Sequence, residues 1–261
     1  MWRNKYELYE EAVQSPEADI RFILREYRKI RKHKEPRVLR EDFCGTGALL
    51  AQWILSSERR ESVGVDLDPE PIFYGLKTHH ATLEASARKR MRYVLGNVLE
   101  VRLKADVICA FNYSYYIFKK RELLLAYFKA VRRSLNPDGL FFLDTLGGTE
   151  SMMEIEDHRR VGGFSYYWEC ERFNPLTHEC FYSIHFKRHA KGAKKQRRVF
   201  TYDWRYWTMP ELQDLLLEAG FSKVRTYWEG DDRSGGGNGV FRETLKAQNC
   251  ESWIAYLVAE L

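Results

Sequence analysis

The sequence has no apolar run near the roughly 18 residues that a membrane span requires, and its longest runs are short, such as 123–128. Its opening residues, MWRNKYELYEE, lack the apolar core of a signal peptide. Cysteine is sparse: five residues, an odd number, point to a reducing cytoplasm and away from a disulfide framework. Cys170 and Cys180 are expected to be reduced neighbours on one hairpin. No His or Cys set has metal-ligand spacing, so no metal is expected. Internal repeats and low-complexity tracts are also missing. A secreted mini-protein, a membrane protein and a coiled coil are therefore not expected.

What the chain does have is core-forming material and aromatics. Of its 261 residues, 44% are hydrophobic and 30% charged, which suits one elaborated globular domain. Aromatics reach 15%, with 16 Tyr and 7 Trp. The net charge is +5. That excess sits in segment 187–198, where Lys187, Arg188, Lys191, Lys194, Lys195, Arg197 and Arg198 occur with no acid. The rest of the chain is slightly acidic. A solvated turn that guards a strand edge, or a grip on phosphates, would each use such a segment.

Periodicity organises the chain. Ile20, Ile23, Leu24, Tyr27 and Ile30 recur at helical spacing after a Ser15-Pro16 start signal, and Pro36 stops the run. Short apolar strands then alternate with helices: strands at 37–39, 63–65, 92–95, 106–111 and 140–144, and helices at 48–56, 69–87 and 121–135. This alternation predicts a parallel, doubly wound α/β sheet. After about residue 150 the period changes to two. Segments 164–173, 179–188 and 197–207 read as three antiparallel strands. A helix from Thr208-Met209-Pro210-Glu211 to Gly220 and strands at 224–228 and 252–257 complete seven core strands. The intervening Ser234–Gly239 stretch reads as a flexible loop. The domain reading is 1–34 as a helical cover, 35–150 with 208–261 as the core, and 151–207 as a β insertion.

Chemistry gathers at successive strand ends. Glu41-Asp42-Phe43-Cys44-Gly45-Thr46-Gly47 is a glycine turn between strand and helix, where backbone N–H groups can approach a ligand. Asp66 closes the second strand and can accept two ribose hydroxyls. Asn97 follows the third strand and can both donate to and accept from an adenine edge. Each has a plainer use as a turn, solvated acid or cap. Their order carries the argument. A dinucleotide dehydrogenase would need a third glycine where Leu50 stands.

With these residues in place the chain resembles the class I S-adenosylmethionine-dependent methyltransferases. The similarity runs over about 36–146: 38–47 ending in CGTG, 63–66, Gly96-Asn97, 106–112 and 135–144. It extends to 207–228 and to a reversed final strand. The resemblance implies a Rossmann-like seven-stranded methyltransferase sheet, mostly parallel, with S-adenosylmethionine as cofactor and S-adenosylhomocysteine as product. It implies that Cys44, Gly45, Thr46 and Gly47 approach the cofactor and that Asp66 holds the ribose. Leu67 would pack on the adenine, Asn97 and Val98 would read its edge, and Asn112 would face the methyl end. Either Glu41 or Asp42 would meet the methionine amino group.

Tyr6 and Tyr9 on the N-terminal helix are expected to cover the cofactor. Tyr113, Tyr115, Tyr116 and Trp168 are expected to line an acceptor pocket. His79-His80 is expected to be solvated on its helix. Methyl transfer is an in-line displacement that needs no fixed catalytic residue, and none is assigned. The expected acceptor is a small molecule. RNA gripped by 187–198, or a non-catalytic adenosyl-ligand sensor, remain alternatives, as does homodimerisation through the insertion. No membrane partner is expected.

Overall fold

The computed structural model describes residues 2–231 and 236–261. The N-terminal segment forms α1 (Lys5–Val13) and α2 (Pro16–Ile30). Pro16 opens α2, and Ser15 makes no side-chain cap bond. The core then alternates β1 (Val38–Asp42), α3 (Ala48–Leu55), β2 (Glu61–Asp66) and α4 (Pro69–Gly75). A π turn continues α4 over Leu76–His80, so the single helix expected over 69–87 is broken. α5 (Ala85–Arg88), β3 (Met91–Leu95), β4 (Ala105–Ala110), α6 (Arg121–Ser134) and β5 (Leu135–Gly147) follow. The insertion comprises β6 (Glu156–Val161), β7 (Phe164–Phe173), β8 (Glu179–Arg188) and β9 (Gln196–Arg205). The chain closes with α7 (Met209–Glu218), β10 (Lys223–Asp231), β11 (Gly237–Glu243) and β12 (Trp253–Glu260). At the start of α7 the Glu211 carboxylate accepts the Thr208 N–H at 2.9 Å, satisfying a helix-end donor.

The main sheet has eight strands in the order β11-β10-β12-β5-β4-β1-β2-β3. The run from β3 to β5 is parallel, and β12 is antiparallel to both β5 and β10. The architecture is thus α/β, mostly parallel, with a reversed strand, as expected. Two counts differ from the sequence reading. The eighth strand, β11, takes in Gly237, Asn238 and Gly239, which read as loop; Ser234 and Gly235 lie outside the described residues. The insertion has four strands, not three, because β6 (EDHRRV) carries almost no apolar residue and so no period-two signal.

Two cores flank the main sheet. On one face α6 and α7 bury Tyr127, Phe128, Leu212 and Leu216. On the other, α2 and α3 bury Ile23, Tyr27, Trp53 and Ile54. α1 belongs elsewhere: its Leu8 and Ala12 pack with Phe164, Ile184 and Phe186 of the antiparallel sheet. The N-terminal segment therefore bridges both sheets. Among the described residues no helix is long and apolar enough to cross a membrane. All five cysteines are free.

Candidate functional site

The glycine turn after β1 is held from three sides. Gly45 and Gly47 adopt left-handed φ of 52° and 73°, where a side chain would be strained. Beyond its chain neighbours nothing lies within 4 Å of where a Gly45 Cβ would stand, so the turn is bare there, whereas at Gly47 that place is taken by the Tyr93 ring. Asp66, at the end of β2, accepts the Gly45 N–H at 2.8 Å and the Asp68 N–H at 2.9 Å. From above, Glu10 of α1 accepts the Thr46 hydroxyl and meets His79 Nε2 at 2.8 Å. His79 is therefore a latch partner of α1, not a solvated residue. The Thr46 carbonyl accepts the Tyr93 hydroxyl at 2.7 Å.

β1 sorts its two acids by strand parity, since successive side chains face opposite ways. Asp42 turns toward α6, where Arg40 and the Tyr127 hydroxyl bind it. It is not available to a ligand. Glu41 turns the other way into a cavity of about 680 Å³. It is only 5% exposed, and its Oε2 is buried without a hydrogen-bond partner. Burial raises its pKa well above the usual carboxylate value, and the nearby charges of Asp19, Asp66 and Asp42 add to this.

That cavity lies where the strand ends of the main sheet face the antiparallel sheet. Its core-side wall includes Asp19, Asn112, Tyr113, Asp144 and Tyr256. Its opposite wall is an alternating aromatic face, with Tyr166 and Trp168 from β7, Tyr182 from β8, and Tyr202 and Trp204 from β9. Trp168 stacks on Tyr182 at 4.7 Å. Tyr9 and Gln14 complete the wall from the N-terminal segment, and the Gln14 Oε1 is also buried without a partner. Asn112 and Tyr113 both have φ of 56°, in the left-handed region. Asp144 fixes this elbow by accepting their two N–H groups at 2.9 and 3.0 Å. Burial pushes the Asp144 carboxyl up to about 7 and that of Asp19 up to about 6. Asp19 accepts the Tyr256 hydroxyl at 2.7 Å.

The structure thus brings Glu41, Asn112, Tyr9, Tyr113 and Trp168 to one cavity. Asp66, Leu67 and Asn97 stand at the neighbouring strand ends, outside its lining. Leu67 is 67% exposed. The Asn97 Oδ1 accepts the Leu99 N–H at 3.0 Å, and the Val98 side chain is buried in the core. The Cys44 and Thr46 side chains are also buried, leaving their backbone to the turn. Tyr6 packs on Tyr74 and Phe200 and does not reach the cavity. Tyr115 and Tyr116 are fully buried. Their hydroxyls bond the Asp144 carbonyl and the Thr145 hydroxyl, each at 2.7 Å, so they support the wall from behind and do not line it. Asp19, Asp144, Tyr202 and Tyr256 were not singled out from the sequence, because nothing local marks them.

The basic segment is partly neutralised. Lys195 pairs with Glu156, Arg197 with Glu169 and Arg198 with Glu171, all on the same sheet. Among the described residues Glu156, Glu169 and His185 form one cluster of metal-type ligands. The His185 Nδ1 accepts the Arg198 N–H at 2.7 Å, which puts the ring proton on Nε2, where it faces Glu169 at 2.6 Å. The cluster is a closed ion-pair network.

No protein-family model matches the sequence, and no curated protein does. Solved structures do match. An S-adenosylmethionine-dependent methyltransferase from Clostridium acetobutylicum aligns with TM-score 0.69 at 17% identity, over 98% of this chain and 97% of that one. CalS10, an amino pentose methyltransferase from Micromonospora echinaspora seen with bound cofactor, gives TM-score 0.66 at 16% identity over 100% and 98%. The sugar N-methyltransferase KedS8 from Streptoalloteichus sp. gives 0.63 at 15% over 99% and 94%. From end to end, with both sheets included, the chain has the fold of S-adenosylmethionine-dependent methyltransferases.

Proposed function

We propose that the chain transfers a methyl group from S-adenosylmethionine to a small-molecule acceptor, releasing S-adenosylhomocysteine. One observation carries the reading: a buried carboxylate with an unpartnered oxygen, Glu41, projects into a cavity beside a glycine turn that is bare at Gly45. That donor set fits the cofactor. Glu41 would accept its ammonium group, and the N–H groups at 44–47 would border it. Asp66 would take the ribose hydroxyls on lone pairs left beside its two backbone bonds. Leu67 would cover one adenine face, with Asn97 and the Val98 backbone at its edge. When bound, the cofactor supplies a methyl group activated by a sulfonium.

The chain's own residues then orient the acceptor. Asn112 and Tyr113, fixed by Asp144, face the aromatic wall, so an acceptor between them is positioned and shielded from water. Tyr9 closes the side. A cavity of this volume takes a metabolite-sized molecule. The RNA alternative loses support because Lys195, Arg197 and Arg198 are already paired.

Incubation with methyl-labelled cofactor and a fractionated extract tests the reading. Label should enter the small-molecule fraction, at a rate nearly independent of salt. Label confined to RNA with a steep salt dependence would replace it with the alternative. Calorimetry showing no cofactor binding would end both.

A further inference from the structure

The cavity is lined by acids and π faces and has little free positive charge. Asp19, Glu41, Asp144, Glu150 and Asp157 all line it. Its only cationic or titratable basic neighbours, among the described residues, are Arg159 and His158. Arg159 is engaged: it donates to the Ala12 carbonyl and lies 5.1 Å from the Tyr166 ring centroid. His158 stacks on Tyr167 at 5.4 Å. Opposite the acids, Tyr202 and Trp204 lie 4.4 Å apart, and Trp168 lies 6.2 Å from Trp204. Ring faces of this kind attract cations.

A second observation is independent of charge. Two buried acceptor atoms in the cavity wall, Glu41 Oε2 and Gln14 Oε1, have no donor. Such atoms have given up water without a replacement until a ligand N–H or O–H reaches them. In the methyl-transfer reading the cofactor's ammonium answers Glu41. Gln14 requires a second donor, which the acceptor must bring.

We propose that the acceptor is an amine that enters as its ammonium ion, so that methylation is on nitrogen. The inference rests on the methyl-transfer reading above. A hydroxyl could satisfy Gln14 but would gain little from the carboxylates or ring faces, whereas an ammonium gains from all three. The ammonium releases one proton to bulk water. The nitrogen lone pair then forms the N–C bond while the C–S pair returns to sulfur. The sulfonium becomes a thioether, and the product is the N-methylammonium.

The test uses the full chain loaded with S-adenosylhomocysteine, whose binding is first measured by calorimetry. Failure at that step rejects the methyl-transfer reading itself. With the product bound, cyclohexylammonium and cyclohexanol, matched in shape, are titrated against tryptophan fluorescence, with Trp168→Phe identifying the cavity signal. The ammonium should bind at least tenfold more tightly, and Gln14→Leu should weaken both probes. Separately, labelled cofactor and metabolite extract should give label on nitrogen only. Equal or tighter binding of the alcohol, binding of neither probe, or label on oxygen, sulfur or carbon would each overturn the amine assignment while leaving cofactor binding intact.

Discussion

Arg40 and Asp42, two positions apart on β1, form a two-pronged ion pair at 2.7 and 3.1 Å with both side chains fully buried. The spare Arg40 protons reach the Val101 and Leu103 carbonyls, so the pair also fastens the connection between β3 and β4. This pairing decides which acid serves the cavity. Asp42 is structural, and Glu41, on the opposite face, is left for a ligand.

The two acids should therefore fail differently. Asp42→Asn leaves a buried guanidinium without its counter-charge, which costs about 3–5 kcal/mol. Denaturant titration should show that loss. Glu41→Gln should leave the unfolding midpoint unchanged or raised, because a strained buried charge is removed. Calorimetry should show its cofactor affinity reduced at least tenfold. Equal stability losses in the two variants would overturn the division.

Buried carboxyls in the cavity make ligand binding pH-dependent. Asp19 and Asp144 titrate near 6 and 7, above the ordinary 3.8, mainly because burial disfavours their charge. Their contribution to stability is complete below about 4 and is lost as pH rises through 6–7. Asp19→Asn should consequently gain on the native protein over that window, measured as the difference in midpoint from pH 4 to 8. A cationic ligand favours the ionised acids. Cofactor affinity should rise from pH 5.5 to 7.5, and buffers of different ionisation enthalpy should reveal proton release on binding.

Tyr115→Phe removes one buried hydroxyl bond and Tyr116→Phe removes two; at about 1 kcal/mol per bond both should lose stability, with acceptor KM unchanged. Tyr113→Ala opens the cavity wall and should raise acceptor KM at unchanged cofactor affinity. Steady-state kinetics beside thermal melts separates these outcomes.

Glu10→Gln should loosen the α1 latch, since Thr46 and His79 both meet that carboxylate. Limited proteolysis should cut α1 faster in this variant, and added cofactor should restore protection. Unchanged cleavage would show that α1 is held by the Leu8 and Ala12 packing alone.

The parallel half of the fold is legible because each strand is a short apolar run ending in Gly, Asp or Asn. β7 to β9 are legible because Tyr166, Trp168 and Cys170, or Tyr182 and Ile184, repeat every second residue toward the cavity. β6 and β11 are not, because both are exposed edge strands with few apolar residues and so no period-two signal. Motif spacing points to Glu41 and Asn112, which line the cavity, and to Asp66 at a neighbouring strand end. It does not separate Glu41 from Asp42, since that needs strand parity together with a knowledge of what lies on each face. The tyrosine run at 113–116 divides in the same way: a short 3-10 turn sends Tyr115 and Tyr116 inward and leaves Tyr113 at the wall.

The hydrogen bond between Asp19 and Tyr256 joins positions 237 residues apart in the chain. Asp19 lies in α2 and Tyr256 in β12. This corner of the cavity thus cannot form until β12 has taken its place between β5 and β10. Such long-range closure slows folding. The same closure makes ligand affinity a direct report of a fully assembled sheet.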